Sequence, residues 1–528
     1  MTRGGALPHI LVKPVVVAER HPSRRRSPPP TFRETSFHMT QPLRTAMAAA
    51  AVAALTGGLL VATTGTAAAD GARPVADFNH DGYRDLAVSA PFAYVNGRAE
   101  AGQVVVLYGT ATGISGAKRT LLSQDSAGVP GTAESGDLWG YDPTAADFNN
   151  DGYTDLAVSA PYEDIDGDTD GGTVQIIWGS ADGLAGGTTV GDPSSSGHDR
   201  FGYVLDAADY DGDGNADLAI GSSSATVYVY RGAFGRAPGT NLGVYAVRPE
   251  ILSGGSDNGP KNLHSGDVNG DGIADLLVDG YDNQPDGNNK YWNTNYYLPG
   301  STSGLRDDAA RKLPAGVITD IGDINSDGFG DIVIGVQWDD TVPGSGTGGK
   351  VAIIQGSASG PVTSSQKDID QNTAGVPGSS EAEDGFGTEL DLGDVNGDGH
   401  LDLAVGAPGE TVDGVAHTGA VTVLYGAADG SGITGDGAQW FSQNSAGVPN
   451  ADETDDNFGS DVHLGDLNGD GKGDLTIGAM GENGFNGAVY ALKSDGTRIA
   501  EAGGLSVYTS TVGVSASGTP VFGVNFTG

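Results

Sequence analysis

A nine-residue frame that recurs seven times limits this 528-residue chain to a repeat architecture. The frame reads aspartate, any residue, aspartate or asparagine, any residue, aspartate, glycine, two variable residues, aspartate. Its defining side chains are Asp77, Asn79, Asp81 and Asp85, then Asp147, Asn149, Asp151 and Asp155, then Asp209, Asp211, Asp213 and Asp217. They continue as Asp267, Asn269, Asp271 and Asp275, then Asp323, Asn325, Asp327 and Asp331. The last two copies are Asp394, Asn396, Asp398 and Asp402, and Asp466, Asn468, Asp470 and Asp474. Starts lie 70, 62, 58, 56, 71 and 72 residues apart, a period that suits four short strands per unit.

Each copy runs into an apolar segment, from Leu86-Ala87-Val88 in the first unit to Leu475-Thr476-Ile477 in the last. A second strand-like run follows, for example Val104-Val105-Val106-Leu107-Tyr108, and a weaker third, such as Gln439-Trp440-Phe441-Ser442, closes several units. The 88 glycines and the lack of 3.6-residue periodicity argue against long helices, because Gly in a helix interior costs ~1 kcal/mol against Ala. Ahead of six frames, small residues (Ala146, Ala208, Gly266, Gly322, Gly393, Gly465) alternate with polar ones (Thr144, Asp206, His264, Asp320, Asp391, His463) on one strand face. That pattern fits inner strands crowded around a wet axis. The expected fold is all-β: one seven-bladed β-propeller over residues 70–528, with a metal-binding loop in each blade.

Carboxylates and amides at positions 1, 3 and 5 of a tight loop converge on one point, and Gly at position 6 permits the bend. Hard oxygen donors without His or thiolate select Ca²⁺. Position 12, Glu in an EF-hand, is here Val88, Val158, Ile220, Val278, Ile334, Val405 or Ile477, so Asp at position 9 is expected to close each site. Up to seven Ca²⁺ are expected, using 22 Asp side chains. With no Cys in the chain, metal takes the place of disulfides as the staple.

Residues 39–69 read as a secretory signal: Arg44, an apolar run over 46–62, then Ala67-Ala68-Ala69, with cleavage expected before Asp70. Gly57 and Gly58 interrupt the run and weaken an anchor reading. Residues 1–38, ahead of a second Met, read as a mis-called start or leader; Arg24-Arg25-Arg26 as a twin-Arg export signal is the alternative. The first 69 residues hold 8 of the 27 basic and 2 of the 68 acidic residues, which leaves the remainder at a formal −47. Such a surface repels phosphate backbones and attracts divalent cations, so nucleic acid is not an expected partner. No membrane span is expected in the mature chain.

The motifs around the frames resemble the FG-GAP repeat family, the propeller of integrin α subunits and of many bacterial secreted proteins. Phe-Gly elements are Phe201-Gly202, Phe386-Gly387 and Phe458-Gly459, with Trp139-Gly140 a variant. Gly406-Ala407-Pro408 is the Gly-Ala-Pro element, with Ser89-Ala90-Pro91, Ser159-Ala160-Pro161 and Gly478-Ala479-Met480 as near forms. The units starting at Asp267 and Asp323 lack both. The first frame has no Phe-Gly before it, while the chain ends on Phe522-Gly523 with no frame after it. The C-terminal segment is therefore expected to dock beside residues 72–76 and latch the ring.

In the resembling family the metal loops occupy one face, which leaves ligand binding to the other. Exposed-aromatic candidates there are Phe92, Tyr94, Tyr162, Tyr281, Trp292 and Trp338, flanked by acids such as Asp164, Asp282, Asp339 and Asp340. Aromatics beside acids suit sugar rings or basic peptide groups, and packing between blades is the plainer role for each. The stretch from Asp164 through Asp166 and Asp168 to Asp170 lacks the position-6 Gly and reads as a solvated acidic loop rather than an eighth cation site. No nucleophile elbow, zincin motif or phosphate loop is present, so catalysis has thin support and no catalytic residue is assigned. The expected function is a secreted recognition or adhesion module for a protein or glycan ligand. A polysaccharide-processing, lyase-like enzyme and a structural scaffold are the alternatives.

Overall fold

In a computed structural model, residues 76–255, 258–282, 292–339 and 342–527 are described; the leader and signal segments lie outside them. Seven four-stranded antiparallel sheets follow one another along the chain. In the second, the strands run Pro143–Ala146, Asp155–Ala160, Thr173–Trp178 and Ala185–Val190 from inside to outside. The second strand is buried along its whole length in every blade, as in Leu86–Ala90 and Asp474–Ala479, because each sheet is covered on both faces by its neighbours. Continuous apolar runs rather than alternation therefore mark these strands in the sequence.

The inner strands close a circle. Pro143–Ala146, Leu205–Ala208, Pro260–Gly266, Ile318–Gly322, Glu389–Gly393 and Phe458–Gly465 contact one another in turn, and Phe526–Thr527 bridges the last to the first. The protein is a seven-bladed β-propeller.

Closure uses both ends of the chain. Ala76 accepts the Asp85 amide at 2.6 Å, while Phe526 pairs with Val88 and Thr527 with Ala87. The inner strand of blade 1 is thus assembled end to end from two termini. Phe526–Thr527 pairs against Leu86–Ala90 on the side where Ala76 receives the Asp85 amide; residues 72–75, beside which the C-terminal segment is expected to dock, are outside the described set. Asp461 of blade 7 accepts the Phe526 amide at 2.6 Å, and Asn525 donates to the Tyr141 carbonyl of blade 2 at 2.7 Å.

The Phe-Gly element, where present, acts at the junction between blades. Its ring is buried, as in Phe386, Phe458 and Phe522, and its backbone lies against the Gly that opens the third strand of the preceding blade. A Cβ on Gly419 would sit 2.2 Å from the Phe458 carbonyl oxygen, and one on Gly487 2.2 Å from that of Phe522; both glycines have positive φ. The units that lack the motif still form complete blades.

Candidate metal loops and the opposite face

All seven frames fold as tight loops between the first and second strands of their blades. In an antiparallel meander these connections share one end, so the loops occupy one face of the ring. The position-1 carboxylate receives the amides of positions 5 and 6: Asp323 binds Asp327 N at 3.0 Å and Gly328 N at 2.8 Å, and Asp394 binds Asp398 N at 3.2 Å and Gly399 N at 2.9 Å. Asn325 and Asn396 accept the same position-5 amides, and Asp327 and Asp398 accept the position-7 amides. These bonds turn the side chains of positions 1, 3 and 5 inward over the loop backbone. In the one loop with a third carboxylate at position 3, oxygens of Asp209, Asp211 and Asp213 lie within 4.8 Å of one another.

Position 9 ties each loop to its blade. Asp85 accepts Phe78 N at 2.9 Å and Gly109 N at 2.9 Å, and Asp402 accepts Val395 N and Gly426 N in the same way. Burial, reinforced by the neighbouring position-1 and position-5 charges, pushes Asp85, Asp155, Asp217, Asp275, Asp331 and Asp402 up to about 7 and Asp474 to about 6. Lys118 reaches Asp81 at 2.7 Å, Arg236 reaches Asp151 at 3.3 Å, and Arg231 pairs with Asp211. No Lys or Arg pairs with the other four loops among the described residues. Oxygen-only donors, a converging geometry and a buried carboxylate in a like-charged cluster all fit a hard divalent cation. Each carboxylate oxygen that accepts an amide keeps a second lone pair for it.

The polar residues facing the axis serve as pins between blades. Asp320 accepts Leu392 N at 2.7 Å, Asp391 accepts Leu464 N at 2.5 Å and Asp142 accepts Leu205 N at 2.7 Å, each across a junction. His264 pairs with Asp320 at 3.0 Å and His463 with Asp391 at 3.2 Å, while Asp206 accepts the Tyr210 hydroxyl.

On the face opposite the loops the six aromatic candidates separate. Tyr162 and Tyr281 are joined through two rings that sequence reading did not single out. Tyr141 lies 6.2 Å from Tyr162 and 5.2 Å from Tyr203. The Arg200 guanidinium sits 4.6 Å from the Tyr162 ring centre, and the Lys261 ammonium 4.7 Å from Tyr203 and 5.5 Å from Tyr281. Basic side chains thus lie beside these rings where the flanking sequence suggests acids, Arg200 from the connection before Leu205–Ala208 and Lys261 from the inner strand Pro260–Gly266, with Asp142 near Tyr141. Tyr141, Tyr203, Tyr281 and Lys261 are buried, so Tyr281 is not the exposed ring expected from the sequence. Of the flanking acids, Asp282 is paired with Lys312 at 2.5 Å, Asp339 accepts the amides of Gly348 and Glu383, and Asp340 is outside the described residues.

The remaining candidates are scattered. Tyr94 is exposed and Phe92 partly buried on the same turn of blade 1. Trp292 is partly buried, its carbonyl bound by Asp282 N at 3.0 Å, and the neighbouring Tyr296 and Tyr297 are core. Trp338 packs against the interiors between blades 4 to 6. The segment 164–170 is a tight exposed turn closed by an Ile165–Asp168 bridge. Sequence reading also passed over a segment written three times, Gln-x-x-Ala-Gly-Val-Pro at Gln124, Gln371 and Gln443, each followed by Glu-x-x-Asp.

Comparison with known proteins fits this architecture. A family model described as FG-GAP repeat matches residues 74–107, 139–177, 386–424 and 458–492, and one described as FG-GAP-like repeat matches 209–278. Phosphatidylinositol-glycan-specific phospholipase D of Rattus norvegicus is 36% identical over 151 residues, 28% of this chain and 18% of that protein. Integrin alpha-6 of Gallus gallus is 35% identical over 162 residues, 30% of this chain and 14% of that protein, and integrin alpha pat-2 of Caenorhabditis briggsae 33% over 170 residues, 29% and 13%. The match thus spans less than a fifth of each relative's length. No helix among the described residues is long and apolar enough to cross a membrane. The chain thus carries FG-GAP repeats over the matched residues, is similar in sequence to integrin alpha chains, and folds as a seven-bladed β-propeller.

Proposed function

We propose that the chain is a secreted recognition or adhesion module for a protein or glycan ligand, stapled by up to seven Ca²⁺ in its frame loops. The observation that carries the reading is Tyr162 with Arg200 against its ring, the partly exposed edge of a cluster whose further members Tyr141, Tyr203, Tyr281 and Lys261 are buried beneath it. Rings beside basic groups suit a ligand that offers a flat apolar face and an acidic group, such as an acidic sugar or a carboxylate-bearing peptide. The integrin relatives support an adhesive role at the level of the propeller. A lyase-like site on the axis has less support, because Asp320 and Asp391, the partners of His264 and His463, are occupied in pinning blades together.

The test is capture on glycan and peptide arrays in millimolar Ca²⁺, followed by prolonged incubation of any hit. The expected result is capture without cleavage that is lost in Tyr162→Ala combined with Arg200→Ala. Undiminished capture by that variant would remove the patch from the account, and cleavage of the hit would replace recognition by catalysis.

A further inference from the structure

We propose that the seven frame loops are joined side by side into one closed ring through positions 4 and 7, so that an ion in one loop orders its neighbours and raises their affinity, a step that rests on the reading of the loops as Ca²⁺ sites. Neither position offers a side chain to the ion in that reading. All seven position-4 residues nevertheless share a left-handed backbone: φ is 54° at His80, 57° at Asn150 and 60° at Ser326, and lies between 69° and 75° at Gly212, Gly270, Gly397 and Gly469.

Where position 4 is Gly, the position-7 side chain of the following loop lies over it. A Cβ on Gly212 would meet Ile273 at 3.0 Å, one on Gly270 would meet Phe329 at 2.9 Å and one on Gly397 would meet Lys472 at 3.4 Å. The seventh loop meets the first in the same way, with Tyr83 2.9 Å from a Cβ on Gly469, so the series closes on itself. Where position 4 carries a side chain, that side chain reaches position 7 of the following loop. His80 stands edge-on to Tyr153 with ring centres 5.7 Å apart, Asn150 donates to Asn215 at 2.6 Å, and the Ser326 hydroxyl is hydrogen-bonded to His400 Nδ1 at 3.2 Å. Every junction of the ring is bridged by one of these two devices.

The main chain adds a second link. The position-1 carbonyl accepts the position-8 amide of the following loop: Asp77 from Thr154 at 3.3 Å, Asp209 from Ala274 at 3.1 Å, Asp267 from Gly330 at 2.9 Å and Asp394 from Gly473 at 2.7 Å. Position 1 carries the carboxylate that organises its own loop. Position 8 lies between the position-7 carbonyl and the position-9 carboxylate expected to complete the other loop. A shift at either residue therefore moves an oxygen donor in the neighbouring loop. Acids at positions 1, 5 and 9 repel one another without a cation and draw together around one. A loop drawn together holds its positions 7 and 8 in place for the preceding loop, which then loses less conformational freedom in taking its own ion. Coupling of this kind is positive and strongest between adjacent blades.

The experiment is equilibrium dialysis of the full chain against Ca²⁺, with hydrogen exchange of each frame loop followed at half-saturation. Asp323→Asn combined with Asp327→Asn disables the fifth loop and should remove one ion per chain. It should also weaken the fourth loop about fivefold, read from the Ca²⁺ dependence of protection over residues 267–275, and scarcely alter the first loop, three blades away. Phe329→Ala leaves every oxygen donor in place, yet in its background disabling the fifth loop should affect the fourth far less; Phe329→Leu should restore the effect. If Phe329→Ala fails to fold, His400→Ala applies the same test between the fifth and sixth loops. Lost protection confined to the fifth loop, or spread evenly over all seven, would overturn the coupling while leaving the loops as Ca²⁺ sites. No ion bound at millimolar Ca²⁺ would instead overturn the Ca²⁺ reading itself.

Discussion

The two faces of the ring are built from the same blades by different rules. On the loop face every blade repeats the same core of hydrogen bonds, the position-1 carboxylate receiving the amides of positions 5 and 6, and in Asp85, Asp155, Asp217, Asp275, Asp331 and Asp402 the position-9 carboxylate receives one from the glycine after the third strand. On the opposite face the blades diverge: Tyr162, Tyr203 and Tyr281 with Arg200 and Lys261 across blades 2 to 4, glutamine–glutamate pairs at blades 2, 6 and 7, an exposed Tyr94 at blade 1. Repetition marks what every blade needs in order to fold. Divergence marks where individual blades are free to take on separate tasks.

If that division is right, changes that strike closure and junctions cost stability, and changes on the divergent face cost binding. The largest effect is expected from deleting residues 517–528. This removes buried Val521, Phe522 and Val524 along with the inner strand of blade 1. Loss of a buried Phe alone is worth about 3–5 kcal/mol, so a thermal melt should fall steeply; an unchanged melt would rule out the latch. Next is Gly419→Ala, which forces a Cβ to 2.2 Å from the Phe458 carbonyl at a positive φ. Denaturant unfolding should show a loss of about 2–3 kcal/mol.

A smaller effect comes from pH in Ca²⁺-free protein. The position-9 carboxylates hold protons up to about pH 7 in the fold, through burial and then neighbouring charge, whereas the unfolded chain releases them near 3.8. The native state therefore binds more protons across that window, and its stability falls as pH rises through it. Melts of dialysed protein should be higher at pH 5 than at pH 7.5, and millimolar Ca²⁺ should abolish the difference. The smallest effect on stability is expected from Arg200→Ala, about 0.5–1 kcal/mol from its contact with Tyr162. A sharp fall in ligand capture with so little change in the melt would confirm that the two faces answer to different demands.

Most of the scaffold was legible because it is periodic. The seven frames, the Leu-Ala-Val strands and the complementary ends of the chain each announce themselves by recurrence, and the composite strand of Ala76 with Phe526 and Thr527 follows from a first frame without Phe-Gly and a last Phe-Gly without a frame. The divergent face was harder. Tyr141, Tyr203, Arg200 and Lys261 meet across junctions of blades 2 to 4, and nothing in their local sequence links them to Tyr162 or Tyr281. Trp338 shows the converse, an aromatic in a variable loop that fills space between blades. The glutamine–glutamate pairs did carry a signal, three copies of Gln-x-x-Ala-Gly-Val-Pro, but its partners Glu163, Glu410 and Glu482 come 39 residues later in the next blade.

The central proposal is that a cation staples the loop face in place of disulfides, and calorimetry in excess EGTA against millimolar Ca²⁺ at pH 7.5 tests it most directly. The account predicts a marked drop in melting temperature in EGTA that is fully reversed by adding Ca²⁺. Superimposable melts in the two buffers would contradict it.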